Sequence, residues 1–106
     1  MSVFNNRPID GVIPATLLAF DDAFMIDEAA SRRHLAHVAA TPGLSAVTVN
    51  GHASEVHACT FDEQQHILEM SLDEAGDKLP MINGIYSDSS LEAARLALMA
   101  EAAGAS

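Results

Sequence analysis

The residues best suited to chemistry lie in a polar loop within positions 46–65, AVTVNGHASEVHACTFDEQQ. A short β-branched strand runs into Gly51, and His52, Ser54 and Glu55 follow before a helix begins. Polar groups are therefore collected where a parallel strand ends. An imidazole at such a place can act as an acid or a base near neutral pH. Loop N–H groups and charged donors can hold an anion.

The sequence offers neither a well-placed lysine nucleophile nor a metal-binding motif. Lys78 is the sole lysine and lies in the polar turn AGDKLP, far from the loop, where a solvated ammonium is expected. The histidines show no HExxH motif and no acid–histidine pairing, so solvated side chains are favoured over a zinc site and no metal is predicted. Those set aside in this way are His34, His37, His57 and His66, with His52 alone kept as a functional candidate.

Length and composition indicate one globular domain. The chain has 106 residues, 49% of them hydrophobic, and a net charge of −10 that leaves no basic patch for nucleic acid or an anionic membrane. The start, MSVFNNRPIDG, lacks a leader pattern and no run approaches about 18 apolar residues, so a cytoplasmic protein is predicted. Cys59, a lone thiol, is interpreted as a small buried hydrophobe.

The elements that must position the loop follow the order βαβαβα. Ser or Thr followed three residues later by Glu predicts a capping box at Thr60–Glu63 and another at Ser89–Glu92. Gly76 is a predicted left-handed terminator. Strands are predicted at 11–20, 44–50 and 80–86, and helices from 27 to about 40, from 60 to 76 and from 89 to about 104.

Apolar residues at helical spacing predict the inward face of each helix. The first helix presents Leu35 and Val38. The second presents Phe61, Leu68, Leu72 and Ala75, and the third Leu91, Ala94, Leu98 and Ala102.

Three strands that start about 35 residues apart, separated by helices, predict right-handed parallel crossovers. Such crossovers place all helices on one face and leave an apolar face and two edges uncovered. Three βα units are therefore a poor free-standing fold, whereas a barrel of eight units closes the same arrangement.

Five segments of the chain form an ordered set of motifs: GVIPATLLAFDD, IDEAASRRHLAHV, VNGHASEVHACTFDEQQHIL, LPMINGIYSDSS and LEAARLALMAEAAGA. Taken in this order, they resemble the dihydrodipicolinate synthase and N-acetylneuraminate lyase family of Schiff-base aldolases. The resemblance implies an α/β fold, the (β/α)8 TIM barrel, with residues 1–106 as the N-terminal part of a single TIM-barrel domain covering about three βα units.

The resemblance further implies a lyase, an aldolase or dehydratase, that acts on a 2-keto acid such as pyruvate through a lysine Schiff base and needs no cofactor. The family's lysine and its assisting tyrosine lie on later strands, outside this chain, so the isolated chain is expected to be inactive. A homo-oligomer, a dimer or tetramer, is implied for the full-length protein. The alternative is a small non-catalytic α/β module, or a fragment, that binds an anionic metabolite.

The family's loop after the second strand reads Gly, two hydroxyl residues, Gly and Glu, and it holds the keto acid's carboxylate. The corresponding residues are Gly51, His52, Ala53, Ser54 and Glu55. The resemblance implies substrate binding by the first four, through backbone N–H groups, the Ser54 hydroxyl or a protonated His52. His52 is a possible proton relay in place of the first hydroxyl, or merely a packed side chain. Glu55 is implied to be structural, through hydrogen bonds to loop backbone groups.

Tyr86 stands where the family's third-strand loop has a glycine. It is predicted to narrow the pocket or to bond a substrate oxygen, the alternative being that it only fills space. Leu18-Ala19 likewise replaces a common Thr-Pro. Because these departures cluster where substrates are selected, the sequence predicts a relative with altered specificity.

Overall fold

A computed structural model of the chain describes residues 8–106. The first seven residues, where no leader pattern was found, lie outside this range. Two short 3-10 turns, His52–Ser54 and Val56–Ala58, precede the second helix. The helices are α1 (Glu28–Ala39), α2 (Phe61–Ala75) and α3 (Ser90–Ala103), and the strands are β1 (Val47–Val49) and β2 (Met81–Asn83).

The two strands pair in parallel, with Val47 opposite Met81 and Val49 opposite Asn83. Helix α2 connects them, which makes the predicted crossover unit. Along the other edge of β1, residues 12–16 form parallel bridges at Val12–Leu44 and Ala15–Thr48. The order and direction of the three predicted strands are therefore confirmed.

The predicted first strand, 11–20, is wrong as a regular strand. Only isolated bridges form there, although Thr48 N donates to the carbonyl of Pro14 at 2.9 Å and Thr16 N to that of Thr48 at 3.0 Å. Pro14 has no N–H of its own to give to a ladder. The second and third predicted strands are confirmed in place but shortened to three residues each.

Local capping chemistry sets the helix ends. The Thr60 hydroxyl accepts from Glu63 N, and the Glu63 carboxylate accepts from Thr60 N, so the predicted capping box is complete. The box at Ser89 is half formed, because the Glu92 carboxylate accepts from Arg95 instead. Ser89 N donates to Ser87 Oγ at 3.0 Å.

Two glycines differ in how they end a helix. Gly76 has a φ of −66°, so its predicted left-handed conformation is wrong, and its N–H continues the helical bonding to Leu72 O. Gly104 does adopt the left-handed region, with a φ of 108°.

The core lies between the helices and the strand pair. The predicted faces of α1 and α2 point inward, with Leu35 and Leu68 buried and Val38 packed against them. The predicted face of α3 is wrong, because Leu91 and Leu98 are 86% and 66% exposed. Apolar residues occur on all sides of this helix, which also carries Glu92, Arg95 and Glu101, so periodicity alone could not choose its inward face. Its buried residues are Leu96, Met99 and Ala100.

Apolar side chains remain exposed at both edges of the layer, as predicted for an unclosed unit. Val12 and Leu17, in the first segment, are 62% and 60% exposed, and Ile85, after β2, is 46% exposed. Across residues 8–106, the helices lack the length and apolar character needed to cross a membrane.

Candidate functional site

The polar loop leaves β1 between two residues in the left-handed region. Asn50 has a φ of 54° and Glu55 a φ of 58°, and Gly51–Ser54 lie between them. Asparagine tolerates this conformation, whereas for glutamate it costs about 1–2 kcal/mol. The backbone is thus bent twice within six residues at the C-terminal end of the strand.

Asn50 anchors the base of the loop to two neighbouring elements. Its side chain is buried, and its Nδ2 donates to the carbonyl of Gln64 in α2 at 2.9 Å and to Asn83 Oδ1 at the end of β2 at 2.8 Å. Gly84 N also donates to Val49 O at 2.8 Å. The ends of β1 and β2 are therefore fixed together beneath the loop.

Hydrogen bonds within the loop close its first turn. Ser54 Oγ and Ser54 N both donate to the carbonyl of Gly51, at 3.0 and 3.2 Å. The Ser54 side chain is buried, and both hydrogen-bond donors of Ser54 are used to stabilise the turn. Ala53 N–H has no acceptor within residues 8–106 and remains available to an anion. Substrate binding by Ser54 and Ala53 stays a prediction.

Glu55 shapes the loop through its backbone. Its N–H donates to the carbonyl of His52 at 3.0 Å, and its own carbonyl accepts from Ala58 N at 2.8 Å. Within the described part of the chain its carboxylate makes no hydrogen bond to loop backbone groups, so the predicted means of its structural role is not observed. Its left-handed bend turns the chain from one 3-10 turn into the next.

The two turns bring two imidazoles to Tyr86. His52 and Tyr86 have ring centroids 5.4 Å apart with the rings at 74°, and His57 and Tyr86 have centroids 6.3 Å apart at 66°. The structure therefore joins the predicted residues His52 and Tyr86. It adds His57, which the sequence interpretation had placed among the solvated histidines. We call these three residues the aromatic cluster.

A neighbouring hairpin, in which Phe20 and Ile26 form an antiparallel bridge, borders the loop. Asp21 Oδ1 accepts from Ala23 N and Met25 N at 2.8 and 3.0 Å, and this turn holds Phe24 at a φ of 64°. A cavity of about 370 Å³ lies between the hairpin and the second 3-10 turn. Its lining residues are Phe20, Phe24, Glu55 and Ala58.

The remaining histidines and the lysine lie elsewhere. His34 Nε2 accepts from Leu17 N at 3.0 Å, and His66 Nε2 is 3.4 Å from Glu28 Oε2. No group of three or more His, Cys, Asp or Glu side chains within 8–106 is arranged to hold a metal ion. Lys78 is exposed in the turn that enters β2, at the opposite end of that strand from Tyr86.

Cys59 is half-buried, so its interpretation as a small buried hydrophobe is only partly correct. Burial, with added repulsion from the Glu63 and Glu55 carboxylates, raises the pKa of the Cys59 thiol. Because the thiolate is the reactive form, this shift makes Cys59 a weak nucleophile at neutral pH.

Comparison with known proteins identifies the family. The model of the dihydrodipicolinate synthetase family matches residues 8–106. The chain belongs to this family. The match covers the polar loop, all three helices and both strands, and so includes every element described above.

Two relatives from different organisms share one activity. The chain is 36% identical over 95 residues to the 4-hydroxy-tetrahydrodipicolinate synthase of Salinibacter ruber, covering 90% of this chain and 31% of that protein. It is 32% identical over 97 residues to the same enzyme of Bartonella henselae, covering 92% and 33%. The chain thus spans about a third of the length of these relatives.

Solved family structures match the fold. Dihydrodipicolinate synthase from Aquifex aeolicus superposes with a TM-score of 0.81 at 26% identity, covering 90% of this chain and 32% of that one. CdNal from Clostridium difficile, solved in complex with mannosamine, gives 0.86 at 26% identity, covering 92% and 34%. The predicted fold class, an α/β chain that forms about three units of a TIM barrel, is confirmed.

Proposed function

We propose that this chain is the N-terminal part of a Schiff-base lyase, an aldolase or dehydratase that acts on a 2-keto acid such as pyruvate. The observation that carries the proposal is the loop from Gly51 to Glu55, bent at both ends and held at the carboxyl ends of two parallel strands. In TIM-barrel enzymes this end of the strands forms the active site. Family membership supplies the reaction class.

Within the loop, the proposal gives each group a distinct task. The Ala53 N–H binds the keto acid's carboxylate, because it lies in a turn and has no acceptor within residues 8–106. Gly51 and Ser54 keep that turn closed, because the Ser54 N–H and hydroxyl both donate to the Gly51 carbonyl. His52 relays protons to and from the reacting carbon, and Tyr86 orients the His52 ring through the contact of their edges.

The proposal requires a lysine that this chain does not place at the site. Lys78 lies at the other end of β2, so the imine-forming lysine is proposed to lie on a later strand of the barrel. Met81 N donates to Ser106 Oγ at 3.1 Å and Ser106 N donates to the carbonyl of Met81 at 2.9 Å. These contacts bring the chain back beside β2 after α3, where a further strand would have to begin. The exposed apolar edges favour the same arrangement.

In the proposed reaction the lysine amine adds to the keto carbon and a water molecule leaves. The protonated imine accepts an electron pair when the neighbouring carbon loses a proton or when a carbon–carbon bond breaks. The enamine formed in this way returns the pair when a new carbon–carbon bond forms or when a hydroxyl group leaves as water. We propose that the complete protein is a cytoplasmic homo-oligomer, and that the 106-residue chain alone is inactive.

The test uses the complete protein that carries this chain. It is incubated with pyruvate, reduced with borohydride and analysed by mass spectrometry. A covalent adduct on a lysine is the expected result. Absence of an adduct with pyruvate and with a panel of 2-keto acids would refute the proposal.

A non-catalytic module that binds an anionic metabolite is the second candidate, favoured by the lack of a lysine at the loop within residues 8–106. It requires a closed core in a chain of this size. Sedimentation of a compact, soluble monomer of about 11 kDa, as expected from the sequence mass, would favour it over the lyase fragment. Co-purification with a complementary chain would instead favour a barrel built from two polypeptides.

A further inference from the structure

We propose that His57 and Tyr86 bind a second carboxylate on the substrate, so that the site takes a 2-oxodicarboxylic acid. This inference rests on the proposed function and specifies its substrate class. It starts from the aromatic cluster, in which His52 and His57 lie on opposite turns and both meet the Tyr86 ring.

The cluster has unused hydrogen-bonding groups. Across residues 8–106 the ring nitrogens of His52 and His57 and the hydroxyl of Tyr86 make no hydrogen bond or ion pair. These three side chains meet through their rings, and Tyr86 is 46% exposed. By contrast, His34 and His66 have partners of their own. An imidazole N–H and a phenol O–H are both good donors to a carboxylate.

Other positively charged side chains of the described chain are engaged or remote. Arg32 bonds Glu28 and Asp73 across two helices, and Arg95 bonds Glu92 and lies over the Phe61 ring at 3.6 Å. Lys78 lies at the other end of β2, and Arg33 is exposed on α1. The aromatic cluster therefore supplies the donors for an anion on this face.

The division of tasks follows from the order of groups along the loop. The Ala53 N–H precedes the bend at Glu55 and His57 follows it, so the two donors lie on different turns. A substrate whose keto acid end lies at Ala53 and His52 can extend past the Tyr86 ring toward His57. In sequence, Glu55 and Asp88 are the carboxylates closest to His52, His57 and Tyr86. Both carboxylates are exposed to solvent.

The experiment compares two keto acids of equal length in the complete protein. 2-Oxoglutarate carries the distal carboxylate, and 2-oxopentanoate has a methyl group in its place. The concentration that gives half-maximal borohydride-trapped adduct is measured for each. Unmodified protein is expected to require at least about tenfold less 2-oxoglutarate, the ratio that one charge-assisted hydrogen bond provides.

Two variants keep the rings and remove the donors. His57→Phe and Tyr86→Phe are each expected to abolish most of that ratio, and in His57→Phe the value for 2-oxopentanoate should stay within about twofold. His37→Phe, on the exposed face of α1, is the control and should keep the ratio. Equal half-maximal concentrations in the unmodified protein, or an unchanged ratio in His57→Phe, would overturn the inference.

A binding measurement separates this inference from the lyase proposal. Glutarate cannot form an imine, so its binding is followed through the histidine ring protons by NMR, with His57→Phe used to assign the signal. A saturable shift of the His57 signal supports the carboxylate site even if no lysine adduct forms. If no glutarate concentration shifts the His57 signal while the protein stays folded, the inference is overturned.

Discussion

The carbonyl oxygen of Asn50 lies where a side chain on Gly84 would have to be. A Cβ built on Gly84 would stand 2.4 Å from that oxygen and 2.9 Å from the Asn50 carbonyl carbon, both of them backbone atoms. The end of β2 can therefore approach the base of the polar loop only because residue 84 lacks a side chain. Tyr86 follows Gly84 by two residues, and its ring centroid lies 5.4 Å from that of His52.

Gly84→Ala should lower the free energy of unfolding by about 1–3 kcal/mol, because a methyl group forced against backbone atoms overpacks the site. Gly51→Ala is the matched control. Its added Cβ would meet Thr48 Cγ2 at 3.7 Å, an ordinary contact, and its φ of −93° suits any residue. We expect a change within about 0.5 kcal/mol there. Urea unfolding measures both, and equal losses would contradict the steric explanation.

Glu63→Ala should destabilise the protein more than Glu92→Ala, although both residues occupy the same position in a capped helix. The Glu63 carboxylate accepts from Thr60 N at 2.9 Å, whereas the Glu92 carboxylate bonds Arg95. Loss of the capping bond should cost about 0.5–1 kcal/mol more. Thermal unfolding of the two variants tests this, and a larger loss for Glu92→Ala would count against it.

Arg32→Gln should lower the melting temperature more than Arg33→Gln. Arg32 reaches Asp73 at 2.8 Å, Glu28 at 3.1 Å and Glu74 at 3.3 Å, so it links α1 to α2, and the Asp73 hydrogen bond is the main cause that raises its pKa. The difference in melting temperature between the two variants should shrink in about 0.5 M salt, because dissolved ions screen ion pairs that are partly exposed to solvent. A difference that does not depend on salt would indicate packing in place of charge.

Cys59 should react slowly with iodoacetamide at pH 8 in the folded protein and faster in urea. Burial raises its folded pKa, so a smaller fraction is thiolate at a given pH. The same shift means that stability falls as the pH rises above the unfolded thiol's pKa of about 8.5, because the unfolded chain then loses its proton first. Cys59→Ser should flatten this part of the pH profile. Equal alkylation rates in both states would contradict the shift.

His52→Ala should lower the turnover of the complete protein more than about tenfold if the ring relays protons, since positioned acid–base groups contribute about a hundredfold or more. His37→Ala, on the exposed surface of α1, serves as the control. Steady-state kinetics with a keto acid that gives a trapped adduct make the comparison. Near-normal turnover would leave His52 with a packing role.

Local chemistry explains which parts of the fold were predictable from sequence. The start of α2 was correct because Thr60 and Glu63 satisfy each other's backbone donors within one turn. The meeting of His52 and Tyr86 also follows from sequence, since parallel strands end at the same edge of a sheet. The inward face of α3 could not be predicted from sequence, because Leu96 and Leu98 are equally apolar. Only packing against neighbouring elements determines that Leu96 is buried and Leu98 is exposed.

The contact between His57 and Tyr86 could not be predicted from the sequence. It depends on the left-handed backbone of Glu55, and glutamate is not a residue type that signals such a bend. The spacing between His52 and His57 matches neither helical nor strand periodicity. Only the folded loop shows that both rings face Tyr86.

The parallel pairing of Val47 with Met81 also sets an order of events during folding. The whole of α2 lies between these two residues, so the chain must close a long loop before β1 and β2 can meet. We expect α2, started by its local cap, to form early and the strand pair to form late. The contact between His52 and Tyr86 would then arise after the strand pair, which makes this contact a kinetic marker for complete folding.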